Sequence, residues 1–383
     1  MTTSLPSTHL TPAVRIPRNF TINEVPFNPD VAVPSVADNA PDLGPLAAFK
    51  GTFTGRGFNT IFRPQNSATP TLLSTPRPDS DNILELNLTI ESLSFSDSIG
   101  AIPNRGAVEP DIFLNGVPYL QAISDVVDPE HPTPIHLEPG MWVIVPPTTH
   151  PSETGSTLAR MASIPHGTTI NAQGTFLTVA GGPQIKPVDI TPFKIGDPSA
   201  RVSPKFPSQT AATPGTPRIP QDLSVAPGIT QALLDDPNTL LRNHIAGMTF
   251  LTTDVLLIDT QSAEPGGGTD NIGFLVGDAA GPNANAVEMS AIFWIETVQA
   301  QLQLDPLDAG FSVDVSPVVS AGAPAPTFSV TSATGTDSPQ SVTVTYPQIQ
   351  YSQNVSLNFA GLTWPHVSVA TLVPAAPIKL KLP

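Results

Sequence analysis

Four of the seven histidines of this chain fall within residues 131–166, where a tryptophan and an arginine accompany them. These histidines are His131, His136, His150 and His166. A neutral imidazole is the commonest side-chain ligand for a metal and also transfers protons near neutral pH. The cluster therefore predicts a binding or catalytic site, although the spacing of His131 and His136 matches no standard zinc motif. Solvent-exposed loop positions are the alternative for His131 and His150.

His166 and His366 share a local pattern, because each of them directly follows a proline. A Pro-His pair at the end of a strand would point its imidazole in a fixed direction. Trp364, two residues before His366, would then wall an apolar pocket beside it. The alternative is that both imidazoles only hydrogen-bond backbone carbonyls at strand ends.

Arg160 lies in a stretch that carries little other charge. An arginine in such a strand can anchor a carboxylate or propionate of a ligand, or it can pair with a nearby acid on the rim. The predicted ligand-binding residues are His136, Trp142, Arg160, His166, Trp364 and His366, with His166 as the candidate metal ligand. The sequence assigns no catalytic residue.

Composition excludes several classes of function. The 383 residues include 16 Lys+Arg against 32 Asp+Glu, a formal net charge of -16, which disfavours binding to nucleic acid. The absence of cysteine excludes thiolate metal sites and a cysteine nucleophile. The sequence has neither a membrane-span-length apolar run nor a signal-like N-terminus, which predicts a cytoplasmic protein.

The elements that would position these residues are β-strands. Leu84, Leu86, Leu88 and Ile90 alternate with polar residues, which puts the four apolar side chains on one face of a strand. Residues 183–228 are rich in proline and are predicted to form a semi-rigid, extended linker. The expected organisation is an N-terminal arm at residues 1–45, β domains at 46–182 and 229–383, and this linker between them.

Short matches between the two β-rich halves suggest a tandem duplication, with chance similarity between strands as the alternative. The matches keep their order: the segment ending at Asp97 with that ending at Asp259, 112–114 with 272–275, and 141–143 with 293–295.

Residues 47–180 resemble calycin-type β-barrels of the nitrobindin-like and fatty-acid-binding-like heme proteins. The resemblance rests on Gly51-Thr-Phe-Thr-Gly-Arg-Gly57, on His136-Leu-Glu-Pro-Gly-Met-Trp142 and on Ile164-Pro-His-Gly167. It implies a ten-stranded barrel that holds heme or another hydrophobic ligand. Its iron-binding histidine lies on a late strand, and His166 is the nearest candidate here. The fold expectation is therefore all-β, with two antiparallel calycin-like barrels, or a barrel plus a sandwich, joined by the proline-rich linker.

Three functions remain open at this point. The first is the binding of a small hydrophobic molecule, with heme as one candidate cofactor, in the first barrel. The second is an enzyme that uses the same pocket, with His136 or His166 as the acid or base and Arg160 orienting an anionic group. The third is a structural β protein without a site, and a homodimer is left open in each case.

Overall fold

Strands from both halves of the chain share one antiparallel sheet. The fold is described from a computed structural model, which defines residues 40–65, 71, 73, 80–261, 267–275 and 283–382. The predicted arm at residues 1–45 lies almost wholly outside the described residues.

The described residues form short helical elements and many strands. The helices are α1 (Gln231–Asp235) and α2 (Thr239–His244), and 3-10 turns cover Gly44–Ala48, Pro207–Gln209, Leu223–Val225 and Gly273–Leu275. The strands are β1 (Gly51–Pro64), β2 (Asn82–Phe95), β3 (Ile102–Asn104), β4 (Ile112–Asp125), β5 (Thr133–Val145), β6 (Thr148–Thr149), β7 (Ser152–Glu153), β8 (Thr157–Ser163), β9 (Thr168–Ala180), β10 (Phe193–Lys194), β11 (Asp197–Arg201), β12 (Arg218–Ile219), β13 (Thr249–Asp259), β14 (Gly268–Asn271), β15 (Asn285–Leu304), β16 (Ser312–Val315), β17 (Phe328–Ser332), β18 (Gln340–Phe359), β19 (Leu362–Pro374) and β20 (Ile378–Leu382).

One closed barrel accounts for the main sheet. Its strand order is β1-β2-β4-β5-β8-β9-β13-β15-β18-β19, and β19 pairs back with β1. The all-β, antiparallel barrel expectation is confirmed, but the expectation of two barrels is not. The first half ends in two free edges, β1 and β9, and the second half pairs with both through β19 and β13. These two pairings between the halves close the sheet, so the barrel has no free edge strand. Two separate half-sheets would each leave edge strands exposed.

The proline-rich segment at residues 183–228 packs against the barrel instead of bridging two domains. Its β12 pairs in parallel with β2, and its β10 pairs with β19. Ile190 and Phe206 join the hydrophobic core from this segment. The extended linker is therefore not confirmed, because the segment supplies apolar side chains that cover the outer wall.

A buried arginine holds this segment in place. The Arg218 side chain is fully buried and donates hydrogen bonds to five backbone carbonyls, those of Ser208, Thr210, Thr213, Pro220 and Gln221. Burial lowers the pKa of Arg218. The planar guanidinium provides the donors that this cluster of carbonyls requires.

Arg218→Lys should lower the free energy of unfolding by about 2 kcal/mol, because an ammonium cannot reach the same set of carbonyls and leaves some unsatisfied. Urea unfolding measures the loss, and limited proteolysis should show faster cleavage within residues 183–228. Arg201→Lys, at an exposed position in the same segment, is the matched control. Equal protease resistance of both variants would contradict this role.

A smaller core lies where β15 and β18 extend beyond the barrel. The three-stranded sheet β16-β17-β20 packs there, and its Phe328 contacts Tyr346 at a ring-centroid distance of 6.3 Å. Among the described residues, no helix is long and apolar enough to cross a membrane.

The tandem duplication is not confirmed by the arrangement of the strands. Trp142 on β5 points into the barrel, where its ring meets Phe293 at 5.0 Å. Trp294, its proposed counterpart, follows Phe293 directly and therefore points to the outer wall. In addition, 112–114 lies in a strand whereas residues 273–275 form a 3-10 turn.

Candidate functional site

The middle of the barrel lumen holds a buried polar network around Arg160, which is 1% exposed. Its Nε donates to Tyr119 Oη at 2.8 Å, Nη1 to Gln353 Oε1 at 2.7 Å, and Nη2 to Glu138 Oε1 at 2.5 Å. The guanidinium carbon also lies 5.5 Å from the centroid of the Trp142 ring. Its partners come from β4, β5 and β18, so the network joins opposite walls of the barrel.

Glu138 is the acid that pairs with Arg160. Burial alone would raise the pKa of Glu138, but the Arg160 charge and the hydrogen bond with His136 lower it to about 2. The carboxylate is therefore ionised at neutral pH, although it is fully buried. The structure shows Arg160 paired with an acid of the protein, as one of the two predicted roles had it, but the pair is buried in the lumen and does not lie on the rim.

A second carboxyl, that of Glu91, lies in the same lumen, and its pKa is shifted in the opposite direction from that of Glu138. It accepts hydrogen bonds from Tyr351 Oη at 2.6 Å, Thr89 Oγ1 at 2.9 Å and Gln121 Nε2 at 3.3 Å. Burial nevertheless raises the pKa of Glu91. A Cβ on Gly57 would lie 2.6 Å from Glu91 Oε1, so the glycine in the opening strand makes room for this carboxyl.

Three imidazoles lie together at one end of the lumen, and we call His136, His166 and His366 the histidine mouth. The rings of His136 and His166 are 5.4 Å apart and perpendicular, and His136 Nε2 is 3.2 Å from Glu138 Oε2. His366 Nε2 lies 2.9 Å from Asn59 Nδ2. These histidines come from β5, from the turn after β8 and from the start of β19, which antiparallel pairing places at the same end.

Two of the three imidazoles at the histidine mouth, those of His166 and His366, have lowered pKa values. Burial, together with the charges of His136 and His166, lowers the pKa of His366 to about 4. Burial and His136 likewise lower the pKa of His166, opposed by a hydrogen bond to the Ile135 backbone. A neutral imidazole keeps a lone pair with which it can ligate a metal or accept a proton.

The two predicted tryptophans lie in packed surroundings away from the histidine mouth. Trp142 is 1% exposed and packs between Phe49 and Phe293. Trp364 is fully buried, stacks on Phe359 and meets Phe206 of the proline-rich segment. The structure thus brings together three of the six predicted residues at the mouth, puts Arg160 and Trp142 deeper in the lumen and puts Trp364 under the proline-rich segment.

The remaining loop histidines occupy surface positions. His131 is exposed and its Nδ1 lies 2.9 Å from Asp128 Oδ2, and His150 is also exposed. This agrees with the alternative stated for both. Over the described ranges, no group of three or more His, Cys, Asp or Glu side chains has an arrangement that could hold a metal ion.

Sequence reasoning did not select Tyr119, Glu91, Tyr351 or Gln353, although they complete the lumen networks. A signal was available on β5, where Glu138 follows His136 by two residues and so shares its face. On β4, Tyr119 and Gln121 are spaced in the same way. Polar residues with a period of two inside apolar strands indicate a polar lumen.

Comparisons with known proteins do not identify a family or a function for this chain. No protein family matches the sequence, and no curated protein matches it significantly. A structural comparison finds the crystal structure of Rv2717c from M. tuberculosis, at 12% identity, with 88% of this chain and 100% of that chain covered and a TM-score of 0.34. A similarity of that size supports no inference about function.

Proposed function

We propose that the histidine mouth binds a small, largely apolar ligand through His166, and that heme is the ligand to test first. The observation that carries the proposal is the setting of His166: an exposed imidazole at the mouth, with a pKa below its usual value and a hydrogen bond to the Ile135 backbone. Imidazoles that ligate a metal typically use the second nitrogen to donate to a carbonyl or carboxylate, which fixes the ring. His166 fits that arrangement.

The neighbouring residues support the same reading. His136 contacts the His166 ring edge-on and is itself tied to the ionised Glu138. The lumen behind them is filled by buried side chains such as Arg160 and Tyr351, so the ligand would sit at the mouth and not deep inside the barrel. The closed barrel also agrees with the coarse fold that the calycin-type resemblance implied.

Titration with hemin tests this proposal. The wild-type protein should develop a Soret band, and His166→Ala should weaken hemin binding by at least about tenfold. His131→Ala, which removes an exposed loop histidine, should leave the titration unchanged. No Soret band in the wild type would reject heme, and unaltered binding by His166→Ala would reject His166 as the ligand.

A second candidate is acid–base catalysis at the same mouth, favoured by the pairing of His136 with Glu138. A carboxylate hydrogen-bonded to an imidazole orients the ring and stabilises its protonated form, as general-base histidines require. Arg160 would not orient a substrate anion in this version, because it is 1% exposed and its charge is already paired with Glu138.

A further inference from the structure

A groove of about 1150 Å³ lies on the outer wall of the barrel, away from the histidine mouth. Its floor is formed by outward-facing side chains of β9, β13, β15 and β18, and one wall is formed by the chain that follows β9. We call this feature the outer groove. Its volume is sufficient for a small organic molecule.

The floor of the outer groove is aliphatic. Val255, Leu257 and Ile292 line it, and the strand register places Leu257 directly opposite Ile292. All three side chains are half-buried. Trp294 continues the floor but is only 3% exposed, so it offers no open ring for stacking. An exposed apolar strip bordered by polar groups is typical of a ligand site.

Two amides that line the outer groove have unused acceptors. Asn238 is 5% exposed, and its Nδ2 donates to the Lys186 carbonyl at 2.8 Å. Asn238 Oδ1 finds no donor among the described residues, and the same holds for Asn354 Oδ1. A buried acceptor without a donor costs about 1–3 kcal/mol. A ligand hydroxyl that approaches this lining would supply the missing donor.

The charges around the outer groove favour a neutral ligand. Lys186 lies on the lining together with the acids Glu153 and Asp259. The chain as a whole carries a formal charge of -16, which disfavours an anionic ligand. The aliphatic floor would also desolvate any charge placed on it.

We propose that the outer groove binds a neutral, apolar molecule that carries a hydroxyl group, such as a long-chain alcohol. The hydrocarbon part lies on Leu257 and Ile292, and the hydroxyl donates to the amide of Asn238 or Asn354. This site is independent of the proposed function at the histidine mouth.

Fluorescence of the neutral dye Nile red tests the outer groove, with 1-dodecanol and dodecanoate as competitors. Thr175→Trp introduces a bulky ring at an exposed position opposite Leu257 in the β9–β13 register, and should weaken dye binding by about tenfold or more. Leu120→Trp is the control, because Leu120 lies on the outer face of β4, is 47% exposed and does not line the groove. It should bind the dye as the wild type does.

The competitors and the variants test the ligand class and the location of the site separately. Dodecanol should displace the dye, whereas equal displacement by dodecanoate would overturn the preference for a neutral ligand. Equal binding by the Thr175→Trp and wild-type proteins would overturn the site itself. His166→Ala should not change dye binding, and a loss in that variant would place the dye at the histidine mouth instead.

Discussion

Arg160→Leu should destabilise the protein by about 3–5 kcal/mol, because it leaves the ionised Glu138 buried without its counter-ion. Glu138 is fully buried, and Arg160 supplies the charge that holds its pKa low. The substitution also leaves Gln353 Oε1 and Tyr119 Oη without the hydrogen bonds that they accept from Arg160. Leucine fills part of the space, so the main loss is electrostatic and not a cavity. Urea unfolding at pH 7 measures the change.

A double-mutant cycle separates the charge from the packing. Arg160→Leu combined with Glu138→Leu should recover much of the lost stability, since the unpaired carboxylate is gone. Arg105→Leu breaks the exposed ion pair with Asp111 and should have no measurable effect. A loss below about 1 kcal/mol for Arg160→Leu, or strict additivity in the cycle, would contradict a coupled buried pair.

The alternation on β2 shows what the sequence could and could not reveal. The pattern at Leu84, Leu86 and Leu88 correctly predicted a strand with one apolar face. That apolar face is turned outward, where the proline-rich segment covers it, whereas Thr89 and Glu91 face the lumen. Periodicity identifies two faces of a strand, but the partner of each face depends on segments more than a hundred residues away.

The grouping of the three histidines at the mouth also depends on contacts between distant segments, so the sequence indicated only part of it. His136 and His166 come together through β5 and β8, which pair in the sheet and are separated in sequence only by the short strands β6 and β7. His366 joins them only because β19 closes the barrel against β1. Its contact with Asn59 spans 307 positions, and no local spacing encodes such a contact.

Trp364 illustrates the limit of local reasoning about ligand pockets. Its position beside His366 suggested a wall of a binding pocket, yet its ring is covered by Phe206 and Phe359. Phe206 comes from the segment that composition identified as a linker. A proline-rich composition describes the backbone of that segment, and it does not reveal that its few large apolar side chains find a buried surface.

Glu296→Gln should stabilise the protein by about 4 kcal/mol near pH 8 and have little effect below pH 4.5. Glu296 is 1% exposed, and burial raises its pKa to about 8, only partly opposed by a hydrogen bond from Gln348 Nε2. The folded protein therefore holds a proton that the unfolded chain releases near its ordinary pKa of 4.5. Stability is fully present below pH 4.5 and declines as the pH rises toward about 8.

Urea unfolding between pH 4 and pH 9 measures this dependence. The difference between Glu296→Gln and the wild type should grow by up to about 1.4 kcal/mol per pH unit within that interval. Gln303→Ala, at an exposed position on the same strand, removes no titratable group and should leave the pH profile unchanged. Parallel profiles for Glu296→Gln and the wild type would show that Glu296 ionises without penalty in the fold. A separation that opens with rising pH requires a buried acid that stays protonated, because only the folded state then binds the extra proton.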